Sequence, residues 1–232
     1  MERKTFNIYF LSLLVLAINT KAPAQDCVGY WPLKENAEFE LTFYRKGGKK
    51  SLATQYKVSS LEKTSNGYIW SVDAQMKNEK GKLLNEISYE ATCENGEVSI
   101  DFASILDPST LQSIEGMEVE MTADKILINS GLKVGQKLPD AHMELVAKNG
   151  PLKINGKFSL ENRNVAATEK VTCPAGTFDC FLITADHNFK MLIGGQYFIK
   201  QWITPEVGLI KQETYNKNGK MLGYSELTKL KL

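Results

Sequence analysis

The chain has 232 residues, 43% of them hydrophobic, and its 28 basic and 27 acidic residues leave a net charge of +1. Near-neutrality gives no electrostatic reason to expect nucleic acid or an anionic membrane surface as partner. The length suits one large β domain or two small ones, with enough chain to bury a core unaided.

Residues 1–24 read as a secretory signal peptide. Arg3 and Lys4 form a short basic start, Tyr9 to Ile18 is apolar except for Ser12, and Ala22-Pro23-Ala24 offers the small residues of a cleavage site. The apolar run is too short to cross a bilayer, and no second hydrophobic span follows. Its removal takes away Arg3, Lys4 and Lys21 against Glu2, moving the net charge from +1 to −1. Residues 25–232 are expected to form a single β domain in the periplasm or outer envelope, or secreted. Cys27 invites comparison with a lipid-bearing cysteine, but such residues follow a small side chain and Asp26 precedes this one.

Beyond the leader, turn signals arrive at short intervals: Lys46-Gly47-Gly48, Ser65-Asn66-Gly67, Glu79-Lys80-Gly81, Glu94-Asn95-Gly96, Asn149-Gly150-Pro151 and Lys217-Asn218-Gly219. Between them the apolar residues alternate, as in Phe39 to Phe43 and Tyr68 to Met76, which is the signature of half-buried strands. Lys77 to Leu84 resembles Asn216 to Leu222, with Arg45 to Leu52 a looser third copy. These lysine-bearing tips read as solvated turns whose charges discourage edge pairing, rather than as an anion-binding rim. One short helix is expected at 108–114, capped by Asp107 with Pro108 at its first position. Gly135 to Asp140 reads as a loop. No linker divides the chain, so the expected fold is mainly β, a single antiparallel meander forming an open or half-closed barrel.

Four cysteines, Cys27, Cys93, Cys173 and Cys180, lie in the exported part, and an even number there favours disulfides. A turn centred on Gly176-Thr177 would set Cys173 opposite Cys180 and leave Cys27 for Cys93, although three pairings remain open. Neither Cys-x-x-Cys nor paired-histidine spacing occurs, so no metal site is expected.

Catalytic groups are equally sparse. His142 and His187 sit in no nucleophile context, and adjacent strand residues such as Asp186 and His187 point to opposite faces. No hydrolase elbow, phosphate loop or dinucleotide fingerprint occurs. The carboxylate pairs Glu38/Glu40 and Glu118/Glu120 have a spacing compatible with glycoside hydrolysis, but they alternate with apolar residues as a wet strand face would. No catalytic residue and no cofactor is assigned. Tyr30, Trp31, Tyr197, Phe198 and Trp202 are the candidate ligand or partner surface, in competition with core packing.

Several segments are similar to the TapB family of exported envelope proteins, itself related to a domain of unknown function. They are Asp26 to Glu40, Cys93 to Gly96, Asn129 to Asp140, Glu169 to Cys180, Trp202 with Gly208 to Tyr215, and Leu222 to Leu227. The resemblance spans essentially all of the chain beyond the leader and brings no catalytic residues. It implies an open or half-closed barrel, similar in outline to lipid and lipoprotein carriers of the Gram-negative envelope. Cys173 departs from the family pattern, which would leave Cys180 as a buried thiol. The expected role is a non-enzymatic envelope protein that binds or carries an apolar small molecule on the concave face of its sheet. The alternative is an interaction or scaffolding module for another envelope protein.

Overall fold

A computed structural model describes residues 27, 29, 30, 32, 34–102, 114, 116–191 and 194–232. The leader, Trp31 and, Ile114 apart, the helix expected at 108–114 lie outside them. Thirteen strands occur among the described residues. They are β1 (Glu38–Arg45), β2 (Lys50–Lys63), β3 (Gly67–Asn78), β4 (Leu83–Glu94), β5 (Glu97–Asp101), β6 (Glu118–Ala123), β7 (Lys125–Asn129), β8 (Ala141–Asn149), β9 (Leu152–Cys173), β10 (Gly176–Lys190), β11 (Gly194–Thr204), β12 (Gly208–Asn216) and β13 (Met221–Lys231). They form one antiparallel sheet in the order β6-β8-β9-β10-β11-β12-β13-β1-β2-β3-β4-β5-β7.

Alternation in the sequence sets the faces. In β3 Trp70, Val72, Ala74 and Met76 are buried and their neighbours are not, and β8 repeats this with Ala141, Met143, Leu145 and Ala147. In such strands one face turns towards the core, and register shifts such as those at Glu40/Leu41, Val58/Ser60 and Leu182/Ile183 add the local bends that let the sheet curl. The curl nearly closes a barrel, as the period-two reading anticipates.

Closure is made by one run of chain. β6 pairs with β8 and β7 pairs with β5, yet only Asp124 separates β6 from β7, so the two edges of the sheet belong to the same strand path. Asp124 is held there by His142, whose carbonyl accepts the Asp124 amide (2.8 Å) and whose own amide donates to the Asp124 carboxylate (2.8 Å). Below that crossing the residues after β7 lie along β9: Gly135 donates to Val165, Val165 to Gln136 and Leu138 to Arg163. The Arg163 guanidinium is buried and donates to the carbonyls of Leu127 (3.1 Å) and Pro139 (2.6 Å), stitching β7 to the approach of β8. Burial draws its pKa down to about 10, with Asp140 acting in the opposite direction.

β9 and β10 overrun the end of β11, since Phe181 already pairs with Ile203. The overhanging tip folds onto β13, where the Ala175 amide donates to the Leu227 carbonyl (3.3 Å). There Cys173, Cys180, Leu182 and Trp202 pack with Phe39, Leu41, Val207, Ile210 and Leu227 as a second cluster beside the main core. The expected pairing of Cys173 with Cys180 is not made. The turn falls at Pro174-Ala175, which puts Cys173 opposite Gly176 and Cys180 opposite Glu169, several residues apart on the ladder. Both are buried free thiols, and burial pushes Cys180 up to about 11. Cys27 and Cys93 are joined in a disulfide with Cα atoms 5.9 Å apart.

Three hairpin tips share one end of the barrel and one construction. In the β3–β4 tip the Asn78 side-chain oxygen accepts the amides of Lys80 and Lys82 (both 3.0 Å), and in the β12–β13 tip Asn216 accepts those of Asn218 and Lys220 (both 3.0 Å). Gly81 and Gly219 take φ of 81° and 74°, which a residue without Cβ adopts without strain. The β1–β2 tip repeats the backbone pattern, with Arg45 donating to Lys49 and Gly48 to Arg45, and it touches the β12–β13 tip through Lys46 to Leu222 (2.9 Å).

Candidate functional site

The two ends of the barrel differ. The end away from these three tips is plugged by the residues before β1. Tyr30 is 1% exposed, its hydroxyl donates to the carbonyls of Asn129 and Ser130 (both 3.3 Å), and burial pushes that hydroxyl up to about 12. The Trp70 ring nitrogen donates to Pro32 (3.1 Å), and a Cβ on Gly29 would stand 2.6 Å from the Trp70 ring, so only glycine fits between them. The disulfide ties this plug to β4.

At the other end two adjoining depressions, of about 660 and 900 Å3, open beside the β10–β11 and β12–β13 turns, with β8 and β9 along one side. They share Glu161, Asn188, Gln196, Tyr197, Asn216 and Lys217. Register explains the aromatic lining of the larger one. Phe189 lies opposite Phe158 on β9 and Gly195 on β11, and His187 opposite Tyr197, so all four side chains share a face. Phe158 and Phe189 are 6.4 Å apart between ring centroids and Phe189 stacks with Tyr197 at 5.6 Å. A Cβ at Gly195 would meet the Phe189 ring at 2.5 Å and the Tyr197 hydroxyl at 2.8 Å, so the missing side chain makes room for both rings.

In the smaller depression Phe198 and Tyr215 face one another at 6.3 Å, with the Lys200 ammonium 5.5 Å from the Tyr215 ring. The Tyr215 hydroxyl donates to Glu213 (2.5 Å), a bond that raises its pKa to about 12. Polar groups rim the pair of depressions: Asn188 donates to Glu161 (3.3 Å), Asn162 to Asp186 (2.8 Å), and His142 lies 3.3 Å from Asp124 and 3.7 Å from Glu161. Apolar lining with a few convergent polar groups is the usual chemistry of small-molecule sites. Among the described residues no group of three or more His, Cys, Asp or Glu is arranged to hold a metal ion.

Of the residues singled out in the sequence, Tyr197 and Phe198 line this groove, Tyr197 in both depressions. Tyr30 belongs to the plug, and Trp202 to the second cluster, where it is 6% exposed and its ring nitrogen donates to Glu169 (2.6 Å). Trp31 lies outside the described residues. Phe158, Phe189 and Tyr215 escape a sequence reading because they are single aromatics in alternating strands, and only the pairing register gathers them.

The carboxylate pairs are engaged elsewhere. Glu40 is buried and accepts hydrogen bonds from Gln55, Thr228 and Lys229, while Glu38 lies 3.8 Å from Lys231. Glu120 pairs with Lys148 at 2.8 Å and Glu118 is exposed. Asp186 and His187 do point to opposite faces, pairing with Phe198 and Tyr197 respectively.

Two solved structures share the fold. One is a candidate exported protein with a YmcC-like fold from Bacteroides fragilis, 22% identical with a TM-score of 0.77; the other is a candidate lipoprotein from Parabacteroides distasonis, 24% identical with a TM-score of 0.77. Each superposition covers 89% of this chain and 100% of the other. No curated protein matches significantly. None of these carries the TapB name, so the resemblance holds at the level of a domain of unknown function and its barrel. A family model described as DUF3108-like matches residues 34–227, from just before β1 into β13, and the chain belongs to that family.

Proposed function

We propose that this chain is an exported, non-enzymatic envelope protein that holds an apolar small molecule in the groove at the open end of its barrel. The observation that carries the reading is the stacked run Phe158–Phe189–Tyr197, in which Phe158 is buried and Phe189 and Tyr197 are partly exposed beside two depressions of about 660 and 900 Å3. The centre of the barrel is filled by its own side chains, Trp70, Met143, Leu145 and Ile183 among them, so the ligand is placed at the mouth rather than deep on the concave face. Export is supported by the leader-like residues 1–24, by the Cys27–Cys93 disulfide, which suits an oxidising compartment, and by the description of the Bacteroides fragilis neighbour.

Native mass spectrometry of the protein purified from its own host tests it. An adduct of defined mass is expected that is lost in Phe189→Ala and Tyr197→Ala while both variants keep the native circular dichroism spectrum. Adduct-free protein, or an adduct indifferent to both changes, would end the reading. A second reading, docking of an envelope protein, is favoured by β6, an edge strand that leaves Val119 37% and Met121 43% exposed. In-cell crosslinking from Glu118 should then capture one dominant partner.

A further inference from the structure

The three tips at the groove end carry an uneven share of the charge. Arg45, Lys46, Lys49 and Lys50 stand exposed on the first, Lys80 and Lys82 on the second, Lys217 and Lys220 on the third, against one acid, Glu79. None of these cations forms an ion pair among the described residues. Next to them, four large apolar side chains are left in water: Leu83 and Leu84, both 47% exposed, Met221 at 37% and Leu222 at 39%.

Edge protection does not account for the lysines. β12, β13, β1, β2, β3 and β4 are consecutive interior strands of the sheet, each paired on both sides, so these hairpins present no open edge to guard. Nor does turn chemistry account for the apolar pairs, because the turns are already made by Asn78, Gly81, Asn216 and Gly219. The tips are contiguous, since Lys46 bonds to Leu222 and Leu52 pairs with Asn78. Cations interleaved with apolar side chains on one rim make a surface amphipathic in the sense that suits a bilayer interface: ammonium groups at phosphate level and leucines among the first carbons of the acyl chains.

We propose that this rim docks the protein onto a bilayer surface bearing anionic phospholipid. Charge complementarity selects that occupant. A net charge of −1 over the exported part opposes such binding in sum, but screening limits what an ion pair feels to about 10 Å, so the rim acts on a membrane almost alone. The groove abuts the same surface, because Asn216, Lys217 and Gly219 line its smaller depression. Docking would therefore set the groove mouth against the membrane. The inference rests on the rim alone and stands whether or not the groove holds a ligand.

The test is flotation of the processed protein with vesicles of equal parts phosphatidylcholine and phosphatidylglycerol, and with phosphatidylcholine alone. Binding to the mixed vesicles only is expected, weakening with salt. Each rim lysine near an anionic surface contributes about fivefold, so Lys49→Gln, Lys82→Gln and Lys220→Gln together should lower partition about a hundredfold. Leu83→Ser with Leu222→Ser should weaken it further, while thermal unfolding and any groove adduct stay unchanged because these side chains are exposed. Equal binding to both vesicle types, binding unaltered by either set of changes, or displacement of the vesicles by double-stranded DNA at equal phosphate would overturn the proposal.

Discussion

Glu40 shows how a single side chain can tie strands together from the outer face. Its carboxylate is 7% exposed and takes bonds from Gln55 on β2 (3.0 Å) and from Thr228 (2.9 Å) and Lys229 (3.0 Å) on β13, so it links the two neighbours of its own strand. Burial alone would push the carboxyl up; the hydrogen bonds from Gln55, Lys229 and Thr228 outweigh it and hold the group below the usual carboxylate range. A folded value below the unfolded one means the stabilisation is complete above about pH 4.3, the unfolded value, and is lost as pH falls through the lower folded value. Glu40→Gln should therefore cost about 1–3 kcal/mol at neutral pH and progressively less in acid. Thermal unfolding followed from pH 7 into acid checks this: the gap between the midpoints of the two proteins should be widest at pH 7 and narrow as pH falls. The sequence shows Glu40 only as a member of a carboxylate pair; its partners lie 15 and about 188 residues away and appear only with the register.

Among the elements, the hairpins are the most legible and the closure of the barrel the least. Asn-Gly and Lys-Gly tips announce the β1–β2, β3–β4 and β12–β13 turns, because positive φ is a local demand met by a local residue, whereas the β10–β11 turn beside the groove carries no such signal. Register is not local: a turn drawn at Gly176-Thr177 instead of Pro174-Ala175 moves Cys180 to a different partner and turns an expected disulfide into two buried thiols. The crossing at Asp124 is hidden for the same reason, since 118–129 reads as one amphipathic run and its two halves find partners on opposite edges. Arg163 seals that seam. Arg163→Ala removes the donor to the carbonyls of Leu127 and Pro139 and opens a void where the buried guanidinium stood, which should cost about 3 kcal/mol. Hydrogen exchange is the sharper readout: amides of β7 should lose protection ahead of those of β3 and β4, and uniform loss across the sheet would mean that the guanidinium does not hold the seam.

For the molecule as a whole, the open question is whether two hydrophobic clusters make two folding units. The clusters are distinct, with Trp70 fully buried in one and Trp202 in the other. Yet they sit on one sheet: β10 contributes Ile183 and Ala185 to the first and Cys180 and Leu182 to the second, and β11 contributes Ile199 and Ile203 against Trp202. Separating the clusters would require breaking β10 and β11 mid-strand and exposing their ladder bonds, so a partly unfolded intermediate gains little chain entropy for the apolar surface and hydrogen bonds it gives up. The β13–β1 pairing likewise joins the strands β1–β5 and β7 to the strands β6 and β8–β13 at the centre of the sheet. The molecule should therefore unfold as a single cooperative unit. In a Trp31→Phe background, Trp202→Phe leaves Trp70 to report on the main core and Trp70→Phe leaves Trp202 to report on the second cluster. In urea each variant's fluorescence transition should coincide with its own far-ultraviolet circular dichroism, at one midpoint and one slope. A Trp202 signal lost at lower urea than the strand signal would show that the folded-over β9–β10 tip melts first.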